Sequence, residues 1–270
     1  MRRANSLNRI SLSVSSPSRL ATANWCSHDA LDRWLAKPSD HLFLKKPALL
    51  TSKHMPAKTL LEVQVLLTIN REEPEPWLVA RAAEVVRRGG VIVVPTDTVY
   101  ALVCIFTDTD AVRRLCKVKG ITSAKRLSIL VDDITTASRY ARGITTPVFR
   151  MMRRVLPGPY TLIFRATQEV PKTMLGKRHT IGIRMPASPT VSILLEQIGE
   201  PLLSTSVRNE SNDFLLDPVD IHDRIGHQVD LVVDGGLLAN EPSTVVDLTA
   251  AEPVIVREGK GDIDALGLFA

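Results

Sequence analysis

Cysteine is scarce in this 270-residue chain: Cys26, Cys104 and Cys116 stand apart, and no two share a Cys-x-x-Cys spacing. An odd count without paired spacing argues against a disulfide framework or a zinc site, and a reducing compartment is expected. Histidine numbers only six, and His179, His222 and His227 have no evident acid partner. A hydrolase triad and a protein-held metal are therefore unsupported. Aromatics make up 4% of the chain, few for a protein that stacks bases on its surface. The strings GxxxxGK[ST], GxGxxG and HExxH do not occur, which removes the standard phosphate-loop, dinucleotide and zinc-protease readings. No apolar run reaches the roughly 20 residues of a membrane helix, so a soluble protein is expected.

What is present is unevenly placed. Of the net charge of +5, residues 1–60 hold ten Lys/Arg against three Asp/Glu, which leaves 24 basic and 26 acidic residues in 61–270. The bulk charge of the folded part thus gives no argument for nucleic-acid binding. Met1 to His28 has no acidic residue, four arginines and many serines, the composition of a mitochondrial or chloroplast transit peptide. A disordered basic tail is the alternative. Pro38, Pro47 and Pro56 then interrupt a stretch without periodicity. Residues 1–61 read as transit peptide and linker, and residues 62–270 as one domain. The expected destination is the chloroplast stroma or mitochondrial matrix, or the cytoplasm if the leader does not function.

The domain is organised around Gly89 to Leu102, GGVIVVPTDTVYAL. Four β-branched residues bounded by glycine and proline predict a strand buried on both faces. Pro95 cannot continue a central ladder, so the chain turns out of the sheet there. The hydroxyls and carboxylate of Thr96, Asp97 and Thr98 then sit past a strand end, where open α/β sheets hold ligands.

Around it, strands and helices alternate. Val63, Val65 and Leu67 suggest a first strand, and Pro76 opens a helix to Arg88. Asp108 or Asp110 caps a helix closed by Gly120, with a buried strand at 127–131 beyond. Short helices are expected at 137–141, after Asp132 or Asp133, and at 146–156, with strands at 160–165 and 180–185. Ser188 and Pro189 start a helix ended by Gly199. A strand at 202–206, a helix at 217–226 and strands at 230–234, 244–248 and 253–257 complete a mixed α/β domain. Strand ends rich in hydroxyl or arginine recur at 96–98, 184, 204–206 and 257. Lys119, Lys125 and Arg126 bracket a loop where they can converge on one anion. Such a set suits nucleotide phosphates.

Four stretches in order carry a resemblance: GGVIVVPTDTVYAL, KGITSAKRLSILV at 119–131, LPGPYTLIF with TIGIRMP at 156–186, and PLLSTS, STVVD and VREG at 201–259. Together they resemble the YrdC family of threonylcarbamoyl-AMP synthases, over nearly all of 65–268. The details STS, STVVDLT and PVIVREGKGD place the chain nearest the YciO branch. The resemblance implies a twisted mixed sheet flanked by helices around a concave basic cavity. It implies condensation of L-threonine, bicarbonate and ATP to threonylcarbamoyl-AMP and pyrophosphate, with Mg²⁺ accompanying ATP. Another enzyme then modifies tRNA. Carried over residue by residue, Thr96, Arg184, Ser204 and Ser243 fall where the family binds threonine. Lys119, Thr180, Ser206 and Arg257 fall where it holds the nucleotide, with Lys125, Arg126 and Arg208 nearby. Lys119, Arg184 and Ser206 are the expected catalytic set. Arg184 suits a two-pronged grip on a carboxylate that lysine lacks.

The chain departs from the family pattern at three places. Lys-x-Arg becomes Lys119-Gly120-Ile121, Ser-x-Asn becomes Ser206-Val207-Arg208, and Tyr-Gly becomes Tyr100-Ala101. Losing one charge-assisted hydrogen bond of about 1.5–3 kcal/mol slows a reaction roughly 10- to 150-fold. Arg208 is expected to return the charge lost at Ile121. Two alternatives to a synthase remain: a double-stranded RNA or tRNA binding module, and a nucleotide-binding protein without turnover.

Overall fold

Val91 to Val94 is buried at all four positions, as a strand between two covered faces requires. The structure, a computed structural model, describes residues 65–125 and 127–267. These lie within one unit, Pro56–Ala270. The leader and linker expected over 1–61 fall outside the described residues, as does Arg126.

The chain enters through β1 (Val65–Thr68) and α1 (Pro76–Arg87), whose proline stands in the first turn. β2 (Ile92–Val94) follows and stops at Pro95. The chain then doubles back, which the sequence pattern does not show. β3 (Ala101–Ile105) pairs antiparallel with β2, Val94 opposite Ala101. Ala101 to Cys104 is buried throughout, so this strand lacks the alternation that marks a half-exposed one.

α2 (Thr109–Lys119) starts where Asp108 accepts from the amides of Asp110 and Ala111, and ends at left-handed Gly120, φ 70°. β4 (Ser128–Leu130) is shorter than expected. α3 (Ile134–Tyr140) begins three residues before the expected start, because the Asp133 carboxylate caps the Thr136 amide. β5 (Ala141–Arg142), α4 (Thr146–Val155), β6 (Tyr160–Ala166) and β7 (Thr180–Arg184) follow. α5 (Pro189–Ile198) has its Ser188 cap and its Gly199 stop. β8 (Leu202–Ser206), α6 (Pro218–Ile225), β9 (Leu231–Asp234), β10 (Thr244–Asp247) and β11 (Val254–Arg257) complete the described strands and α-helices. β11 is an edge strand with Val254 and Val256 exposed. No described helix is long and apolar enough to cross a membrane.

All the described strands form one mixed sheet, ordered β1-β9-β2-β3-β8-β4-β7-β6-β10-β11, with β5 also paired to β6. Its two faces bury separate cores. Val93, Leu102, Ile129, Phe164 and Ile183 pack beneath α2, α3 and α4. Ile92, Val94, Val103, Leu130 and Leu202 pack beneath α1 and α5. On this second face the sheet continues onto β7, β6 and β10, where its residues line a cavity instead of a helix. That uncovered half is the floor of the site.

Candidate active site

Strand register arranges the floor in three ranks. In the first, Arg184 of β7 stands opposite Leu130, and Thr161 of β6 opposite Val245, which faces Arg257 of β11. In the second, Ser204, Ser128 and Gly182 are successive partners across β8, β4 and β7, and Ile163 faces Asp247. In the third, Thr180 faces Arg165, and Ser206 lies two residues past Ser204. Two residues of strand advance about 6.7 Å, so first and third ranks stand roughly 13 Å apart. The cavity above them holds about 920 Å³, and five Lys/Arg among its lining residues face one carboxylate, Asp247. Gly182 keeps the middle of the floor bare: a Cβ there would meet the Cβ of Ser128 at 3.2 Å.

The first rank is built for an anion. The Arg184 side chain is buried beside an equally buried Asp97. Its Nη2 donates to Asp97 Oδ1 at 3.1 Å and to Thr98 Oγ1 at 2.9 Å. Asp97 Oδ2 accepts from the Ala187 amide at 3.0 Å, which fixes the carboxylate. Arg184 Nε is buried without a partner among the described residues. Burial pulls the Arg184 pKa below the usual guanidinium value, and Asp97 opposes that shift. Across the rank, Arg257 donates to Ser243 O at 2.7 Å and to Ser243 Oγ at 3.1 Å, while Ser243 Oγ lies 2.8 Å from Thr161 Oγ1. Lys260 reaches back to Asp97 O at 2.7 Å, tying the segment after β11 to the turn after β2.

The third rank is cationic. Lys125, Lys177 and Arg178 line the cavity together with Thr180 and Ser206. Behind Ser206 a second cavity of about 730 Å³ is lined by Lys119, Ile121 and Arg208. Lys119 Nζ donates to Ser206 O at 2.6 Å. Burial, and then the charge of Arg208, bring its pKa down to about 8. Arg208 Nε donates to Ser206 Oγ at 3.3 Å, Nη1 donates to Asn212 O at 2.5 Å, and the guanidinium lies 3.8 Å over the Phe214 ring. Phe214 lines the first cavity, so this stacked pair is the wall between the two.

Of the residues expected at the site, Arg184, Ser204, Ser243, Lys125, Thr180, Ser206 and Arg257 line the first cavity. Lys119 and Arg208 line the second. Thr96 does neither. Its hydroxyl is buried, donates to Val99 O at 2.7 Å and accepts from the Thr98 amide at 3.2 Å. Thr98, two residues on, takes the cavity-lining place. Ser128, Thr161, Lys177 and Arg178 also line the first cavity without being expected from sequence, and Asp97 had no expected partner. Thr161 carried a signal, since it alternates with Leu162 in a strand read as two-faced. Among the described residues no group of three or more His, Cys, Asp or Glu is placed to hold a metal ion.

The family model for Sua5, YciO and YrdC, described as "Telomere recombination", matches residues 84–259. The uncharacterized protein YciO of Escherichia coli (strain K12) is 43% identical over 197 residues, 72% of this chain and 95% of that protein. Its crystal structure superposes with a TM-score of 0.70 at 40% identity, covering 75% of this chain and 98% of that one. The human threonylcarbamoyl-AMP synthase is 32% identical over 193 residues, 68% of each chain. The crystal structure of Pyrococcus abyssi Sua5 complexed with L-threonine superposes with a TM-score of 0.68 at 28% identity. It matches 72% of this chain and 57% of that longer one.

Proposed function

The chain belongs to the Sua5/YciO/YrdC family, and on that premise we propose that it condenses L-threonine, bicarbonate and ATP to threonylcarbamoyl-AMP and pyrophosphate. The observation that carries this reading is the polarity of the floor. A buried arginine with hydroxyls stands at one end, a cationic rank at the other, and a bare glycine between them.

Arg184 receives the threonine carboxylate. An unsatisfied buried donor costs about 1–3 kcal/mol, and a carboxylate seated against this guanidinium relieves that cost at Nε. Ser243, Thr161 and Thr98 orient the rest of the amino acid without adding charge. The cations around the cavity favour the neutral amine. That amine combines with bicarbonate to give the carbamate and water. A carbamate oxygen then attacks the α-phosphorus above Gly182, forming one P–O bond as the bond to the bridging oxygen breaks. The electron pair leaves on pyrophosphate. No side-chain base is needed for this displacement, only positioning and charge neutralisation. Ser206, Thr180, Lys125, Lys119 and Arg257 supply these, and Mg²⁺ enters with ATP as part of the substrate. The product is a mixed anhydride, reactive enough to pass its threonylcarbamoyl group to tRNA adenosine on another enzyme.

The test is pyrophosphate release from ATP by the full chain, with threonine and bicarbonate each present or withheld. The reading requires release that depends on both. Release without threonine, or none under any condition, overturns it.

A further inference from the structure

Two exposed helices carry opposite charge, and neither serves the cavity. The window 139–178 holds nine Lys/Arg and a single acid, Glu169, whereas residues 200–264 hold fourteen Asp/Glu against four Lys/Arg. A domain close to neutral as a whole is thus sharply divided along its chain. α4 lies in the basic window and α6 in the acidic run.

Each helix also exposes an apolar residue amid its charges. On α4, Met151, Met152 and Val155 are buried, which leaves Phe149, Arg150 and Arg153 outward. Phe149 is 43% exposed and stands one turn from Arg153. Arg150 and Arg153 are also one turn apart, a like-charged pair that weakens the helix. Neither forms an ion pair among the described residues. On α6, Ile221 is buried and Val219 is 52% exposed, one turn from Asp223. Asp223 forms no ion pair with Lys or Arg among the described residues. Asp217 adds a carboxylate at the start of the helix, where it accepts from the Val219 amide at 2.9 Å. Leu237, 71% exposed, joins this patch, because the Leu238 amide donates to Leu216 O at 3.1 Å.

Both patches lie on one face of the sheet, since Met151, Met152, Val155 and Ile221 share one core. They stand at opposite ends of that face. α4 leads into β6, and its Arg154 holds the turn after β11 by donating to Ala265 O at 2.7 Å. α6 packs against β9, next to the β1 edge. From β9 to β6 the order runs through six strand spacings, about 29 Å. One patch therefore cannot satisfy the other within a single domain.

We propose that this face is an interface between two copies of the chain, with α4 of each seated on α6 of the other. A two-fold axis lying in the interface, across the line that joins the patches, makes both contacts at once. Phe149 then meets the partner's Val219 and the partner's Leu237, while Arg150 and Arg153 meet the partner's Asp217 and the partner's Asp223. An aromatic anchor ringed by charge is the usual build of such a contact. Using both patches on both copies closes the assembly at two. A nucleic-acid strand would answer the arginines alone, and a second copy answers both patches. The cavity lies on the opposite face of the sheet, so it stays open in either state.

The test is analytical ultracentrifugation of the full chain over a concentration series. It is run at about 0.15 M and about 1 M salt, where the screening length falls from about 8 to about 3 Å. The variants are Arg153→Glu, Asp223→Lys and Phe149→Ser. The parent should form a dimer that weakens with salt and grows no larger. Each charge reversal should weaken dimerisation at least about tenfold, because in a two-fold pair every substitution acts twice. Phe149→Ser should weaken it too while leaving the salt dependence. Mixed in equal amounts, Arg153→Glu and Asp223→Lys should recover a dimer, since reversed charges then face each other at one contact and native charges at the other. Their melting temperatures, taken at dilutions where the parent is monomeric, should stay close to that of the parent. A parent that is monomeric throughout overturns the proposal, as does a dimer indifferent to all three substitutions. Failure of the mixed variants to associate overturns the seating of α4 on α6. Duplex RNA bound by a monomeric parent and lost in Arg153→Glu overturns it in favour of a nucleic-acid surface.

Discussion

Asp97→Asn separates what Asp97 does for the fold from what it does for the ligand. Its Oδ1 takes the Arg184 Nη2 at 3.1 Å and its Oδ2 takes the Ala187 amide at 3.0 Å. The two side chains are only 9% and 7% exposed, Arg184 first. Asparagine preserves the shape but turns one oxygen into a donor, so either Arg184 or the amide loses its acceptor. Removing one partner of a buried pair costs about 3–5 kcal/mol. At about 2–4 °C per kcal/mol for a domain of this size, the melting temperature should fall by roughly 6–20 °C. The second consequence is specific to a carboxylate site. A bound anion returns the countercharge that the substituted amide lacks, so L-threonine should raise the melting temperature of the variant more than that of the parent. Stabilisation follows RT ln(1 + [L]/Kd), so the larger rise at equal concentration reports tighter binding. The assay is thermal denaturation across a threonine series, with L-threoninol, which has no carboxylate, as the control. An equal or smaller rise in the variant, or an equal rise with threoninol, would refute the placing of the carboxylate on Arg184.

The remaining predictions concern the cationic rank and the amino-terminal segment. Lys119, brought down to about 8 first by burial and then by Arg208, should lose its charge as pH rises through that value. ATP affinity should fall above about pH 8, and Lys119→Arg should flatten the profile; a flat parent profile sinks the assignment. Between its folded pKa of about 8 and the ordinary 10.5, the folded protein binds fewer protons than the unfolded chain, so Lys119 makes stability rise with pH in that window. Arg208 and Ile121 line one cavity, so Arg208→Asn should weaken ATP binding and adding Ile121→Arg should restore it, whereas additive effects in the cycle would show that they share no phosphate. A chain beginning at Glu62 should melt cooperatively close to the full chain, and a large drop would mean that residues 1–61 pack on the domain.

Much of this molecule was legible because its signals are local. Caps and stops within a few residues set α2 and α5, and proline set the end of β2. The hydroxyl- and arginine-bearing strand ends could be picked out for the same reason: each is a short string whose chemistry is evident without its neighbours. β3 escaped because full burial erases alternation, and its place depends on pairing with β2 and with β8, about a hundred residues later in sequence. The ranks of the floor were illegible for a related reason. Side-chain period along a strand says which residues share a face, but only register says which of them stand abreast. Arg184 finds Asp97 across 87 residues, and Ser128 meets Ser204 and Gly182 through partners on either side. Arg165 shows the difference most plainly. In the sequence it is the polar end of an alternating strand, and exposure alone would be reason enough for it. Only the pairing of β5 with β6 sets Arg142 opposite it, and only the pairing of β6 with β7 sets Thr180 on its other side. The chemistry of each side chain is written in the chain, while the order in which a ligand meets them is written in the hydrogen-bond register.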